Sequence, residues 1–169
     1  MAIGGFWENK NVLITGCTGL VGSWLTKFLI EAGANIIGLV RDAVPKSIVW
    51  SNSQDFDYVK NKLTVVHGSL EEYQVLERAI NEYKTEVIFH LAAQTIVGTA
   101  NRNPLSTFES NIRGTYNLLE ACRHGDVRRF VFASSHHIVG LHAPGALEVG
   151  APVAPDGFYG LSKVFGEAA

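Results

Sequence analysis

The chain has 169 residues, of which 47% are hydrophobic and 18% charged, and its formal net charge is −2. That is one domain's worth of a globular protein able to bury a core, so a single domain is expected across residues 1–169. The charge balance excludes a global basic field that would draw in nucleic acid or a membrane surface, so any anion site has to come from local backbone groups.

The opening stretch MAIGGFWENKNVLITG lacks the apolar run of a signal peptide, and no later stretch is long enough to span a bilayer. Both features point to the cytoplasm. Short apolar runs then alternate with longer helical patterns. Val12–Thr15 is a first strand, and residues 22–32 form a helix with Leu25, Phe28, Leu29 and Ala32 on one face. Gly33 ends that helix. Asn35–Val40 is a second strand, residues 42–62 are a loop or a short helix, and Leu63–Val66 is a third strand. Residues 70–83 are helical, packing Leu76, Ala79, Ile80 and Tyr83. Val87–Leu91 is a fourth strand, an apolar run broken only by His90 and suited to burial on both faces. Residues 104–124 form the longest helix, with Phe108, Ile112, Thr115, Leu119 and Cys122 as its core stripe. Arg129–Ala133 is a fifth strand, residues 140–157 are a Pro- and Gly-rich loop, and a last helix starts near Tyr159. The alternation demands an α/β fold, a doubly wound parallel sheet with helices on both faces and right-handed crossovers. The two cysteines, Cys17 and Cys122, suit neither a disulfide framework nor a zinc cage. Reduced thiols and no metal site are therefore expected.

Gly16, Gly19 and Gly22 fall between the first strand and the first helix, in the segment VLITGCTGLVGSWL. Phosphate oxygens need close approach to backbone N–H groups and to the positive end of a helix dipole, which a Cβ at the turn would block. The strand–turn–helix setting makes this a Rossmann-type site for the diphosphate of a dinucleotide, with Thr18, Leu20 and Val21 completing the loop. The cofactor ribose should meet Arg41 and Asp42 at the end of the second strand. An acid there would bind the ribose hydroxyls of NAD, and an arginine the 2′-phosphate of NADP, so Arg41 favours NADP. Leu91, Ala92, Ala93 and Gln94 end the fourth strand with residues small enough to let a cofactor lie on the backbone. His90 beside them is read as a structural histidine.

Tyr159 and Lys163 are four residues apart, hence on one helix face. A phenol with a reference pKa of about 10 is a poor base, but a neighbouring ammonium favours the phenolate. Tyr159 then suits a general acid/base for interconverting a hydroxyl and a carbonyl. Lys163 would also bond the nicotinamide ribose, and Ser135 would place the substrate oxygen against Tyr159. Together TGCTGLVG, FHLAAQ, NIRGTYNLLEAC, FVFASS and YGLSKVFGE resemble the extended short-chain dehydrogenase/reductase family, also called the NAD-dependent epimerase/dehydratase family. The resemblance implies the roles given to Ser135, Tyr159 and Lys163, and a family contact to adenine at Ser69 and Leu70, where members often carry Asp instead of Ser69. It also implies a homodimer built from the long helix and the Tyr159 helix.

Residues 6–122 resemble sugar-nucleotide 4,6-dehydratases of the CDP-glucose and GDP-mannose kind, whereas residues 127–167 are more similar to uronate dehydrogenases. The dehydratases place an acid after the active-site Ser or Thr to eliminate water; His136 and His137 stand there in this chain. By the uronate dehydrogenase resemblance, His137 is a substrate contact, together with Gln94, Ser135 and His136. Family members are longer and continue into a C-terminal substrate region, so a fragment, a truncation or a chimera with its seam near residues 125–129 is to be weighed. The expected function is an NAD(P)-dependent oxidoreductase, epimerase or dehydratase acting on a sugar or sugar nucleotide. The alternative is a dinucleotide-binding module without turnover.

Overall fold

The computed structural model describes residues 4–42, 44, 46–51, 54–140 and 150–169. A short helix α1 (Gly4–Trp7) precedes β1 (Asn11–Thr15), α2 (Leu20–Glu31) and β2 (Asn35–Val40). Next come a 3₁₀ turn (Ile48–Trp50), α3 (Asp57–Lys62), β3 (Leu63–His67), α4 (Tyr73–Glu82) and β4 (Val87–His90). The chain continues through α5 (Val97–Arg102), α6 (Pro104–Phe108), a π-helical turn (Glu109–Arg113), α7 (Gly114–Arg123), β5 (Arg129–Phe132), a 3₁₀ turn (His136–Ile138) and α8 (Phe158–Ala168).

All four strand pairings are parallel and the order across the sheet is β3-β2-β1-β4-β5. This is the doubly wound arrangement expected from the alternation of apolar runs and helices. Val12, Leu13 and Ile14 are fully buried because β1 is central and covered on both faces. Val12 and Ile14 face a core with Leu29, Ile36 and Phe56, while Leu13 faces the opposite core with Ile37, Leu76 and Leu118. The order reverses beside β1, since β2 and β3 lie to one side and β4 and β5 to the other. A crevice opens at the carboxyl ends of the strands at such a switch point.

Three predicted helices depart from the sequence pattern. The helix expected over residues 22–32 begins at Leu20, and of its predicted face only Leu29 is buried, with Leu25 and Ala32 half-buried and Phe28 exposed; Ser23, Thr26 and Ile30 turn inward instead. The helix expected over residues 70–83 begins at Tyr73, because the Ser69 N–H donates to Glu72 Oε2 at 2.7 Å and ties residues 69–72 into a turn. Leu70 is buried in that turn. The helix expected over 104–124 does run through those residues, but the π-helical turn interrupts it and changes its facing. Of the predicted stripe, Thr115 is buried and Phe108, Ile112, Leu119 and Cys122 are half-buried. The buried face is instead Thr107, Ser110, Asn111, Thr115, Asn117, Leu118 and Ala121. The apolar count found Thr115, and Cys122 packs against the core as expected, but it missed the rest of this face because polar groups that bond inside the protein line it. Within residues 42–62 the structure resolves the choice between loop and helix into a 3₁₀ turn and α3. Of the predicted loop 140–157, residues 141–149 lie outside the described residues, and 150–157 carry neither helix nor strand. Among the described residues no helix is long and apolar enough to cross a membrane.

Cys17 is fully buried beneath the glycine turn, and burial pushes its thiol up to about 11. Gly38 of β2 makes room for it, since a Cβ there would stand 2.6 Å from Cys17 Sγ. Gly38→Ala should lower stability by about 1–3 kcal/mol through overpacking. In a Cys17→Ala background the same change should cost less than half as much, as read by urea denaturation of the four chains.

Candidate active site

The turn after β1 brings Gly16 to φ +75°, a conformation that favours glycine. A Cβ on Gly16 would also meet the Ala92 backbone nitrogen at 2.8 Å, so β1 and the end of β4 meet there without side chains between them. Gly22 is required by packing, because its Cβ would stand 2.0 Å from Gly16 O. Gly19 is different. Its φ of −75° is ordinary, and the nearest atom to a Cβ would be Gly16 O at 3.3 Å. Glycine at position 19 is thus not required by backbone conformation; a Cβ there would make one tight contact, with Gly16 O, and glycine leaves the mouth of the turn bare.

Helix α2 starts on this turn without a side-chain cap. The Ser23 N–H reaches Gly19 O at 2.9 Å, so the Leu20, Val21 and Gly22 amides are the ones the helix itself leaves unpaired. Three amides at the positive end of a twelve-residue helix are a ready anion site. They open on a cleft of about 470 Å³. Gly16, Thr18, Gly19, Leu20, Val21, Gly22, Arg41, Asp42, Ser69, Leu70, Leu91, Ala92 and Ala93, all predicted cofactor contacts, line that cleft. Gln94, Tyr159 and Lys163 are not among its lining residues.

Leu39, Val40, Val44, Gly68, Thr95 and Ser110 line the cleft too and were not foreseen. Leu39 and Val40 end β2, so the rule that ligands sit at carboxyl ends of strands would have found them. Ser110 carries no such signal, because only the fold brings the π-helical turn beside β2. Arg41 Nε lies 2.6 Å from Asp42 Oδ2, and its Nη1 donates to Ser110 Oγ at 3.4 Å, which spans the cleft. The Gly68–Leu70 wall is held from α7, where Asn117 Nδ2 donates to Leu70 O at 3.0 Å.

Ser135, His137, Tyr159 and Lys163 are brought together beyond β5. Ser135 Oγ accepts the His137 N–H at 3.3 Å and so caps the 3₁₀ turn. The His137 ring meets the Tyr159 ring edge-on with centroids 5.6 Å apart, whereas His136 is exposed and touches His137 at 4.3 Å. Tyr159 and Lys163 are both buried. Lys163 Nζ donates to Ala133 O at 2.8 Å and lies 4.6 Å from the Phe132 ring centroid and 6.0 Å from that of Tyr159. Burial holds the ammonium down to about 8.

Asn111, in the π-helical turn, was missed by sequence reasoning. Its Oδ1 accepts the Gln94 N–H at 2.7 Å, and its Nδ2 donates to Gln94 O at 3.2 Å and to Ser162 Oγ at 2.9 Å. Ser162 in turn donates to Tyr159 O at 2.7 Å. Predicted contact Gln94 is therefore bound through its backbone to the helix that carries Tyr159. His90, read as structural, is buried between Thr15 and Thr115.

A family model described as GDP-mannose 4,6 dehydratase matches residues 13–169. The chain belongs to this family, within the epimerase/dehydratase branch of the short-chain dehydrogenases/reductases. The CDP-glucose 4,6-dehydratase of Salmonella typhimurium is 36% identical over 135 residues, covering 77% of this chain and 35% of that protein. The epimerase Mth375 of Methanothermobacter thermautotrophicus superimposes with a TM-score of 0.81 at 30% identity, covering 96% of this chain and 46% of its own. MoeE5, solved in complex with UDP-glucose and NAD, superimposes with a TM-score of 0.78 at 27% identity, covering 94% of this chain and 47% of its own. The chain thus spans less than half the length of each of these three.

The buried Lys163 makes stability depend on pH with a definite sign. The folded protein releases this proton near pH 8, while an unfolded lysine keeps it to about 10.5. Between those values the unfolded state binds more protons, so this group makes stability rise with pH, by at most about 1.4 kcal/mol per pH unit. Urea denaturation from pH 7.5 to 10 should show the rise as a difference between wild type and Lys163→Met.

Proposed function

We propose that the chain is the cofactor-binding and proton-transferring part of an NAD(P)-dependent enzyme acting on a sugar or sugar nucleotide. The observation that carries this reading is the bare turn at residues 16–22. Three amides that the helix leaves unpaired, with a side-chain-free Gly19 beside them, open on a cleft of about 470 Å³ at the switch point of the sheet. The residues present fit a dinucleotide: the Leu20–Gly22 amides would hold its diphosphate, Arg41 and Asp42 its adenosine ribose, and Ala92 and Ala93 the neighbouring sugar. Arg41 would pair with the 2′-phosphate of NADP. Its ion pair with Asp42 is exposed and so worth about 0–1 kcal/mol, too weak to hold the guanidinium back from a phosphate. NADP thus remains the favoured form, with NAD bound through Asp42 the other.

The cofactor, when bound, supplies the hydride acceptor or donor. Tyr159 would move the hydroxyl proton of the substrate, with Lys163 supplying positive charge beside the ring and Ser135 fixing the substrate oxygen. His137, packed against Tyr159, would face the substrate next to Ser135, together with Gln94 and His136. His136 and His137, not a carboxylate, stand directly after Ser135, which favours dehydrogenation or epimerisation over elimination of water. A homodimer is also proposed, because α6, α7 and α8 expose Leu105, Tyr116, Leu161 and Phe165. Light scattering should then give twice the chain mass.

Calorimetric titration with NAD⁺ and NADP⁺ tests the site. Gly19→Ala should weaken binding at least about tenfold while the melting temperature stays close to wild type. Heat-silent titrations at millimolar concentrations of both nucleotides would remove the assignment. Tyr159→Phe should keep cofactor affinity and lower turnover of the uronate or nucleotide sugar accepted by wild type by about 10²–10⁴-fold. If wild type turns over none of these while still binding cofactor, the chain acts as a binding module without turnover.

A further inference from the structure

His90 is paired in register with Thr15 across β1 and β4, and its ring is buried beside Phe130 and Phe132. Nδ1 lies 2.7 Å from Thr15 Oγ1 and Nε2 lies 3.0 Å from Thr115 Oγ1. The protons in this arrangement can be assigned from the partners. Thr115 has one hydroxyl proton and donates it to Asn111 O at 2.6 Å. Toward His90 it must therefore accept, so Nε2 carries the imidazole proton. A neutral ring then leaves Nδ1 as an acceptor for the Thr15 hydroxyl. Thr15 Oγ1 itself accepts the Ala92 N–H at 3.2 Å. The bonds run in one direction, from the Ala92 amide through Thr15, His90 and Thr115 to the Asn111 carbonyl.

The two ends of this chain of bonds belong to different halves of the site. Ala92 lines the nucleotide cleft and abuts the Gly16 turn. Asn111 clamps the Gln94 backbone and, through Ser162, the helix carrying Tyr159 and Lys163. We propose that His90 is a positioning residue which, as a neutral imidazole protonated on Nε2, locks the nucleotide cleft to the Tyr159–Lys163 helix through this directed chain. Its catalytic consequence rests on the function proposed above, but the chain of bonds does not. Neutrality agrees with the surroundings: burial, with the Lys163 charge adding to it, pushes the imidazole down to about 3. An imidazolium would present Nδ1–H to Thr15 and leave the Thr15 hydroxyl proton without its acceptor.

Two measurements on the whole chain test this. Nitrogen NMR of histidine-labelled protein should show His90 in the Nε2–H form, unchanged from pH 5 to 8; the Nδ1–H tautomer or an imidazolium in that range would overturn the proposal. The second measurement splits the chain of bonds. Asn at position 90 keeps an acceptor near Nδ1, and Gln reaches toward Nε2. His90→Asn should leave the Ala92 amide protected and speed hydrogen exchange at the Gln94 amide at least about tenfold. His90→Gln should do the reverse. Thr115→Val, nearly isosteric, should behave as His90→Asn and serves where a His90 variant fails to fold. If both amides change together in every variant that folds, His90 only fills space and the proposal fails. A chain that binds neither NAD⁺ nor NADP⁺ yet shows the crossed exchange pattern would sink the proposed function and leave this inference standing.

Discussion

The start of α2 governs the rest of the structure. A helix beginning without a side-chain cap leaves amides that must find a partner, and here the residues that carry them line the cleft. Such a start is tolerable only if the turn before it is held from below. Gly16 meets the Ala92 backbone, and Gly22 lets α2 settle onto Gly16 O. The parallel register of β1 with both β2 and β4 fixes the turn at the reversal point of the sheet. A Cβ at position 16 or 22 would collide with backbone, so neither position can carry a side chain without the turn shifting.

This part of the molecule was legible in the sequence because it depends on short-range rules. Fully buried strands read as apolar runs, and glycines whose Cβ would collide with backbone recur at fixed spacing between a strand and a helix. The wall formed by Ser69, Leu70, Ala92 and Ala93 was legible as well, through strand ends and family resemblance. The long helix was not. Hydrophobic periodicity identifies a buried face only when burial means apolar contact. Here Ser110, Asn111, Thr115 and Asn117 turn inward and bond to backbone and side chains of other elements, while Leu105 and Tyr116 stay outside. The π-helical turn adds to the error, since one extra residue rotates everything after it. Asn111 is invisible to the pattern for both reasons.

The Tyr159–Lys163 pair was legible as spacing but not as environment. Four residues place the two side chains on one helical face, and nothing in that spacing says whether the face is wet. The structure shows that it is dry, and a buried ammonium is costly unless something compensates it. Ala133 O supplies one charge-assisted hydrogen bond, and the Phe132 ring supplies the negative face of an aromatic. Both come from the end of β5, thirty positions earlier for Ala133. Burial still holds the ammonium down to about 8, so these two partners offset only part of its desolvation.

One buried positive charge also limits what can stand next to it. His90 lies close enough to Lys163 for the ammonium to disfavour its protonation, on top of the larger effect of burial. A second cation in this interior would have neither a carbonyl nor a carboxylate to face, because Thr15 and Thr115 are the groups at its two nitrogens. The imidazole is therefore held to a single proton. Once the Thr115 hydroxyl is committed to Asn111 O, that proton has one place to go, on Nε2. The direction of hydrogen bonding between cleft and helix α8 thus follows from charge as much as from geometry. A histidine suits position 90 because it is both acceptor and donor on opposite edges of one rigid ring, which no shorter amide can reproduce across the distance between β1 and α7.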